Sequence, residues 1–408
     1  MWACKVDSTG LGESGMYKIQ TLNNISAAGL EKLPKDRYVV ASQMDGPDAI
    51  LVRSAKMHDL EIPDSVKAIG RAGAGTNNIP VSLMTARGIA VFNTPGANAN
   101  AVKELVVASL LMAARNLGSG WLFARGLEGS DAEISKAVEA GKKQFSGFEL
   151  PGRTLGVVGL GAIGVKVANV ARALGMRAVG YDPTITVQRA WQLDTDVLSA
   201  GSIEELLGLS DMVTVHVPFS DETRHLIDAT RIKAMRPGTV LLNFSRAGIV
   251  DDTAVVAALN EGHLHAYVCD FPSNLLKNHP KVVTFPHLGA STKEAEDNCA
   301  IMVADQVREY LEHGTVNNSV NFPNAFLPRN SGYRMAIVNS NVPNMVGQIS
   351  TELAAVGLNI LDMLNRSRGE IAVTLIDLDK PCPEERIEKI RNISGVLSVR
   401  CLGEEAHP

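Results

Sequence analysis

The chain has 408 residues, 45% of them hydrophobic and 20% charged, with a formal net charge of −5. That length exceeds what one core usually supports, so two or three domains are expected, with the apolar content of an ordinary soluble globular protein. The mildly acidic balance, without any lysine or arginine cluster, excludes a nucleic-acid partner, because neutralising phosphates requires a basic face.

Five cysteines, Cys4, Cys269, Cys299, Cys382 and Cys401, are scattered without metal-type pairs. They read as reduced thiols in a cytoplasmic protein that holds no metal. Near the start, Lys5 and Asp7 have no apolar run behind them, so no secretory signal is read. The longest apolar run, Leu105 to Ala114, is too short to cross a bilayer, and no membrane partner is expected.

Taken in chain order, residues 1 to 98 read as a small α/β unit with strands at Tyr38–Ala41, Ala49–Val52, Ala68–Arg71 and Ile89–Phe92. Alternation of such strands with short helical stretches predicts a parallel sheet. Two loops follow strand ends. One carries Arg53 and Ser54; the other runs from Arg71 through Ala74 and Gly75 to Asn77. Ligands of open α/β sheets sit beyond the carboxyl ends of strands, so two arginines there make a candidate anion site.

Asn93–Asn100 is a polar linker, Ala101–Asn116 a long helix, and residues 117 to 153 are helical and loop-like. Thr154–Gly164 then reads TLGVVGLGAIG, a short β-branched strand running through glycines into a helix that Gly175 terminates. Gly159 permits a tight turn, Gly161 lets backbone approach a pyrophosphate, and Gly164 lets helix and strand pack closely. The amides of Ala162 and Ile163 open the helix toward the phosphates. A second strand, Met176–Tyr181, ends at Asp182, where a carboxylate can accept from ribose hydroxyls and repel a 2′-phosphate. The predicted cofactor is therefore NAD, not NADP.

Further strands at Met212–Val217, Thr239–Asn243, His265–Cys269 and Val282–Thr284 bring the doubly wound sheet to six or seven strands, with Pro218 closing one of them. Arg246, Asp270 and His287 follow strand ends and should share a rim with the glycine loop. An alcohol oxidation needs a base for the hydroxyl proton and a cation for an acid or carbonyl, roles that histidine and arginine supply. Beyond residue 330 the order is strand Tyr333–Val338, helix Met345–Val356, strands Asn359–Leu364 and Ile371–Leu378, a helix after Pro383 and strand Val396–Leu402. That βαββαβ order predicts a ferredoxin-like unit.

TLGVVGLGAIG, NFSRAGIVDDTAVVAAL and FPHLGAST together resemble the D-isomer-specific 2-hydroxyacid dehydrogenases. VRSAK at 52–56, RAGAGTNNIP at 71–80, NTPGANANAVKELV at 93–106 and NSVNFP at 318–323 resemble the phosphoglycerate dehydrogenase branch of that family. The resemblance implies that Arg246 pairs with the substrate carboxylate and carbonyl and that His287 is the general acid/base. It also implies that Asp270 binds the nicotinamide carboxamide. Amides near Ala74 and Gly75 would hold the carboxylate, with Arg53 and Ser54 at positions that bind a substrate phosphate.

A discontinuous substrate domain is implied, 1–98 with 286–328, around a Rossmann domain at 99–285 and a C-terminal domain at 331–408 that resembles an ACT module. In such modules Asn341 and Asn359 match positions that hold L-serine, and Asn339 stands where histidine is common. A homodimer or homotetramer is expected. The reaction implied is NAD-dependent oxidation of a phosphorylated 2-hydroxy acid, with a glyoxylate or hydroxypyruvate reductase and a non-enzymatic NAD sensor as alternatives. One departure stands out. The family pairs the histidine with a glutamate a few residues beyond the position of Asp270, yet no Asp or Glu lies between Asp270 and His287, which leaves Asn274 or water to orient the ring.

Overall fold

Short apolar and β-branched runs form three sheets in a computed structural model that describes residues 16–329 and 332–403. Cys4, Lys5 and Asp7, together with residues 331 and 404–408 of the expected C-terminal domain, lie outside the described residues. Two compact units emerge, one running from Asn98 to Ala295 and the other formed by the chain up to Ala97 and from Glu296 onward. His287 therefore travels with Arg246 and Asp270. The crossing back to the unit that contains Ala97 comes at Glu296, ten residues later than residue 286.

The Asn98–Ala295 unit is a seven-stranded parallel sheet. Its strands are β6 (Thr154–Val158), β7 (Arg177–Tyr181), β8 (Leu198–Ser199), β9 (Met212–Val215), β10 (Thr239–Asn243), β11 (Leu264–Cys269) and β12 (Val282–Thr284), in the order β12-β11-β10-β9-β6-β7-β8. Helices cover both faces, so β6, β9 and β10 are buried at every position, which is why their sequences run apolar without alternation. The order reverses beside β6. There the crevice at the carboxyl ends opens, beyond Val158. The long helix ends at Ala114, because Asn116 turns left-handed at φ 50° and a second helix, Leu117–Arg125, starts afresh.

The other unit holds a five-stranded parallel sheet of β1 (Tyr17–Leu22), β2 (Tyr38–Ala41), β3 (Ala49–Val52), β4 (Ala68–Arg71) and β5 (Ala90–Phe92), ordered β2-β1-β3-β4-β5. Strand β1 was not expected. Its alternating YKIQTL buries Tyr17 and Ile19 and leaves the residues between them half-exposed, a pattern weaker than that of the continuous apolar strands beside it. The helix Lys293–His313 returns to this sheet and packs Val303, Val307 and Tyr310 into its core.

The third sheet is antiparallel: β13 (Tyr333–Ser340), β14 (Ile360–Arg368), β15 (Ile371–Leu378) and β16 (Val396–Leu402), ordered β14-β15-β13-β16. This is the split βαββαβ arrangement. One face packs on the helices Met345–Ala354 and Glu384–Arg391 through Met335, Ile337, Ile349, Leu353 and Ile387. The other face, through Ala336, Val338, Val373 and Leu375, joins the same core as the return helix and the five-stranded sheet. Burial on both faces explains why β15 is inaccessible throughout, Thr374 and Asp377 included. No single helix among the described residues is long and apolar enough to cross a membrane.

Candidate active site

The strand–turn–helix at β6 forms a cradle in which two positions admit only glycine. Gly159 adopts φ 91°, and a Cβ there would approach the His216 carbonyl to 2.8 Å; a Cβ on Gly164 would strike the Gly159 carbonyl at 1.9 Å. Gly161 differs. A Cβ on it would meet nothing within 4 Å, so this exposed residue faces open space at the N-terminus of the helix Ala162–Ala173. The first-turn amides, Ala162 and Ile163 among them, have no intrahelical acceptor, and the dipole favours an anion there.

Asp182 closes the other side of the cradle. Its Oδ2 accepts from the Leu160 amide at 2.8 Å and its Oδ1 from the Thr184 amide at 2.9 Å, which fixes the carboxylate. Beside it lies a cavity of about 390 Å³ lined by Leu160, Tyr181, Asp182, Ile185, Leu193 and Ala200. An apolar slot next to a fixed acceptor, with free amides and an unobstructed glycine beyond, fits an adenosine and its pyrophosphate.

Arg246 follows β10 and His287 follows β12, so both stand on the carboxyl-end rim with the end of β11 between them. Asn243, the last residue of β10 and only 2% exposed, accepts the Ser245 amide on Oδ1 (3.1 Å) and donates from Nδ2 to the Arg246 carbonyl (3.0 Å). The exposed Arg246 guanidinium donates from Nη1 to the Ser245 carbonyl at 2.7 Å, leaving further N–H groups of its five to serve a ligand. Pro218 is exposed nearby in sequence to His216, with its carbonyl accepting from Thr223.

His287 has a left-handed backbone, φ 57°, which costs a non-glycine residue about 1 kcal/mol. Asp270 surrounds that turn. Its carbonyl accepts the His287 amide at 3.1 Å, while Oδ1 and Oδ2 accept the Leu288 and Gly289 amides, each at 2.7 Å. Both of its oxygens accept backbone amides and the residue is 1% exposed, so Asp270 anchors this loop. Among the described residues of its unit, no carboxylate pairs with the His287 ring. Phe271 packs edge-on to it, centroids 5.3 Å apart at 71°, whereas Asn274 is exposed.

In the other unit, Arg53 and Arg71 end the paired strands β3 and β4, whose register sets Val52 beside Arg71. Arg71 Nε donates to the Arg53 carbonyl at 3.2 Å. The Arg53 guanidinium forms an ion pair with Glu296 at 2.6 Å, on the first turn of the return helix, with the two side chains 40% and 42% exposed. The Ser54 and Ala55 amides are taken by Asn23 Oδ1, at 3.2 and 2.7 Å. Asn93 donates to the Ala74 carbonyl at 2.6 Å, Asn77 uses its carbonyl on the His58 ring at 3.0 Å, and Ala74 and Gly75 remain partly exposed. Asn23 and Glu296 carry these loops yet stand out in no motif, because their partners lie far away in sequence, whereas Asn243 heads the NFSRAGIVDDTAVVAAL motif.

The three candidate effector asparagines do not converge within one chain. Asn339 is 1% exposed, with Nδ2 on the Ser340 carbonyl and Oδ1 buried without a hydrogen-bond partner. Asn341 donates to the Gly369 carbonyl at 3.1 Å, while the Asn359 amide donates to Asp379 at 3.0 Å. Along β15, Ser340 pairs with Ile371 and Ile360 with Leu378, so the two ends are seven residues and about 23 Å apart.

The family model described as D-isomer specific 2-hydroxyacid dehydrogenase, NAD binding domain, matches residues 117–289. D-3-phosphoglycerate dehydrogenase of Mycobacterium tuberculosis is 33% identical over 401 residues, covering 90% of this chain and 73% of that protein. The protein of the same name from Methanocaldococcus jannaschii is 36% identical over 286 residues, 68% of this chain. The chain spans 52% and 53% of the length of the Methanocaldococcus jannaschii and Archaeoglobus fulgidus relatives. Among solved structures, the NAD+-bound 3-phosphoglycerate dehydrogenase of Entamoeba histolytica superposes with a TM-score of 0.58 at 26% identity, covering 76% of this chain and all of that one. The cradle fits NAD, which is the cofactor, and on its sequence, its sheet order and its glycine turn the chain belongs to the D-isomer specific 2-hydroxyacid dehydrogenase family.

Proposed function

We propose that this chain oxidises 3-phospho-D-glycerate to 3-phosphohydroxypyruvate with NAD, the first step of L-serine biosynthesis, in the cytoplasm. The observation that carries the reading is the paired strand ends Arg53 and Arg71 in one unit, together with the Arg246 and His287 loops and the dinucleotide cradle in the other. Relatives at 33–36% identity bear the name of that activity. The bound nicotinamide supplies the hydride acceptor. His287 takes the C2 hydroxyl proton on an imidazole nitrogen, and its ring is oriented by the Phe271 edge where relatives would use a carboxylate. The Arg246 guanidinium holds the substrate carboxylate and, as the alcohol becomes a ketone, polarises the growing carbonyl. Arg53 takes the phosphate.

The Arg53–Glu296 pair favours a second reading, an unphosphorylated 2-hydroxy acid, since Glu296 already neutralises the candidate phosphate ligand. Steady-state oxidation of 3-phosphoglycerate compared with glycerate, and reduction of phosphohydroxypyruvate compared with hydroxypyruvate and glyoxylate, separates the two. A larger kcat/KM for the unphosphorylated member of each pair overturns the first reading.

The C-terminal sheet supports a regulatory site for L-serine shared between two chains. Asn341 and Asn359 lie at opposite ends of one sheet, so both reach one ligand only when a second chain contributes one of them, as in a homodimer or homotetramer. Serine then lowers activity by binding one conformation of the enzyme better than the other. If millimolar serine changes neither rate nor thermal stability, this sheet serves assembly alone.

A further inference from the structure

We infer that Asn23 and Asn78 are positioning residues that clamp the Arg53–Ala55 segment from its two sides and so aim the Arg53 guanidinium, which makes them determinants of preference for a phosphorylated substrate. The inference rests on the reading above that Arg53 takes the phosphate. Strands β1, β3 and β4 lie side by side, with Leu22 in register with Val52 and Val52 with Arg71. The segment that follows Val52 is therefore flanked by the residue after β1 and by the loop after β4. From the β1 side, Asn23 Oδ1 accepts the Ser54 amide at 3.2 Å and the Ala55 amide at 2.7 Å. From the β4 side, Asn78 Nδ2 donates to the Ala55 carbonyl at 2.8 Å and, more weakly, to the Arg53 carbonyl at 3.5 Å, which also accepts Arg71 Nε at 3.2 Å. Two asparagines distant in sequence thus hold two amides and two carbonyls of one tripeptide.

Asn78 is 9% exposed, and its Oδ1 is buried without a hydrogen-bond partner among the described residues. The amide cannot be turned over to relieve this, because an oxygen would then face two carbonyls; its amino end is committed to the segment although an unpartnered buried acceptor is destabilising. Asn23 has a left-handed backbone, φ 76°, a conformation that asparagine tolerates better than most residues. The same turn reaches the partner of Arg53. Ser26 Oγ accepts the Ala28 amide at 3.3 Å and donates to Asp297, the neighbour of Glu296 on the return helix. One turn therefore supports both the loop that carries Arg53 and the helix that carries Glu296. Arginine loses much rotamer freedom when it grips an anion, and a fixed starting backbone lowers that loss.

The test uses Asn23→Gly, which removes the acceptor yet keeps the left-handed backbone unstrained, and Asn78→Ala, which deletes the donor together with the unpartnered acceptor. Amide hydrogen exchange in the substrate-free protein reads the clamp without reference to any reaction. In Asn78→Ala the Ser54 and Ala55 amides keep their own acceptor, so faster exchange there reports loosening of the whole segment. The expected increase is on the order of three- to tenfold at both amides.

In the NAD-saturated enzyme, either variant should raise the KM for 3-phosphoglycerate on the order of three- to tenfold, with kcat, the KM for NAD and kcat/KM for glycerate changed by less than about twofold. In an Arg53→Ala background the same substitutions should add less than about twofold, because the side chain they aim is gone. Unchanged exchange at Ser54 and Ala55 in Asn78→Ala overturns the clamp. Equal losses on 3-phosphoglycerate and glycerate, or a full loss that persists in the Arg53→Ala background, overturn its action through Arg53. If exchange responds as expected while the unsubstituted enzyme shows no preference for 3-phosphoglycerate over glycerate, the clamp on the Arg53 segment stands and the phosphate reading fails.

Discussion

Replacing Glu296 by glutamine should improve the enzyme on a phosphorylated substrate and leave an unphosphorylated one almost unaffected. The Glu296 carboxylate pairs with one nitrogen of the Arg53 guanidinium at 2.6 Å, so it competes with the substrate phosphate that the proposed reading places there. Both partners are about two-fifths exposed, and an ion pair in that setting contributes at most about 1 kcal/mol. Removing the competitor should therefore raise kcat/KM for 3-phosphoglycerate by up to about fivefold.

Arg53→Ala works in the opposite direction. The lost charge-assisted contact is worth about 1.5–3 kcal/mol, but wild type also gives up the Glu296 pair of about 1 kcal/mol on binding, so the net loss is about 0.5–2 kcal/mol, or roughly 2- to 30-fold. Initial rates for 3-phosphoglycerate and glycerate at low and high ionic strength measure both effects, and the gain from Glu296→Gln should shrink as salt screens the pair. Equal losses on both substrates for Arg53→Ala would refute the phosphate assignment, and no gain from Glu296→Gln would refute the competition.

The remaining predictions concern the cofactor, the core and pH. Asp182→Ala removes a fixed acceptor of ribose hydroxyls worth about 1.5–3 kcal/mol, so NAD should bind on the order of 10- to 100-fold more weakly and the NADP-to-NAD ratio of kcat/KM should rise; an unchanged ratio counts against the cradle as described. Arg334 is inaccessible in β13 and pairs through two nitrogens with Asp377 (2.6 and 2.8 Å), while also donating to the Leu327 carbonyl at 2.8 Å. Asp377→Ala strands a buried guanidinium and should cost about 3–5 kcal/mol, visible as a lowered thermal transition, and a loss under about 1 kcal/mol would mean water or movement relieves it.

His216 has its Nδ1 buried without a partner among the described residues, and burial pushes the ring down to about 3 from the ordinary 6.5. The unfolded chain binds that proton first, so stability is full above 6.5 and falls as pH drops toward 3, by about 1.4 kcal/mol per unit. In His216→Asn the acid-side slope of unfolding free energy should be shallower by up to that amount. An unaltered slope places the titration elsewhere.

The cradle at β6 was fully legible in the sequence because its requirements are local. Gly159 answers a torsion and Gly164 a contact set within a few residues, Gly161 leaves open space at the helix start, and Asp182 follows from the length of one helix and one strand. The βαββαβ order was legible for the same reason, since each element shows its own periodicity. Strand β1 was missed because a half-exposed alternation is weak evidence when strand status depends on the neighbours β2 and β3. The partner of the His287 ring was left open in sequence between Asn274 and water, and the Phe271 ring, which no polar motif signals, packs against it.

What the sequence by itself determined, then, is the glycine turn at the end of β6 and which strand ends carry arginine and histidine. What only tertiary structure decided is what those groups are bonded to. Arg53 meets Glu296 across 243 positions because the return helix brings its first turn to the end of β3. Asp270 spends its carboxylate on backbone because β11 ends beside the loop that His287 bends. Asn341 and Asn359 stand at opposite ends of a sheet because β13 and β14 are both antiparallel to β15. Torsion and periodicity are written residue by residue, whereas the partner of a charged or amide side chain is fixed only when distant segments share a core.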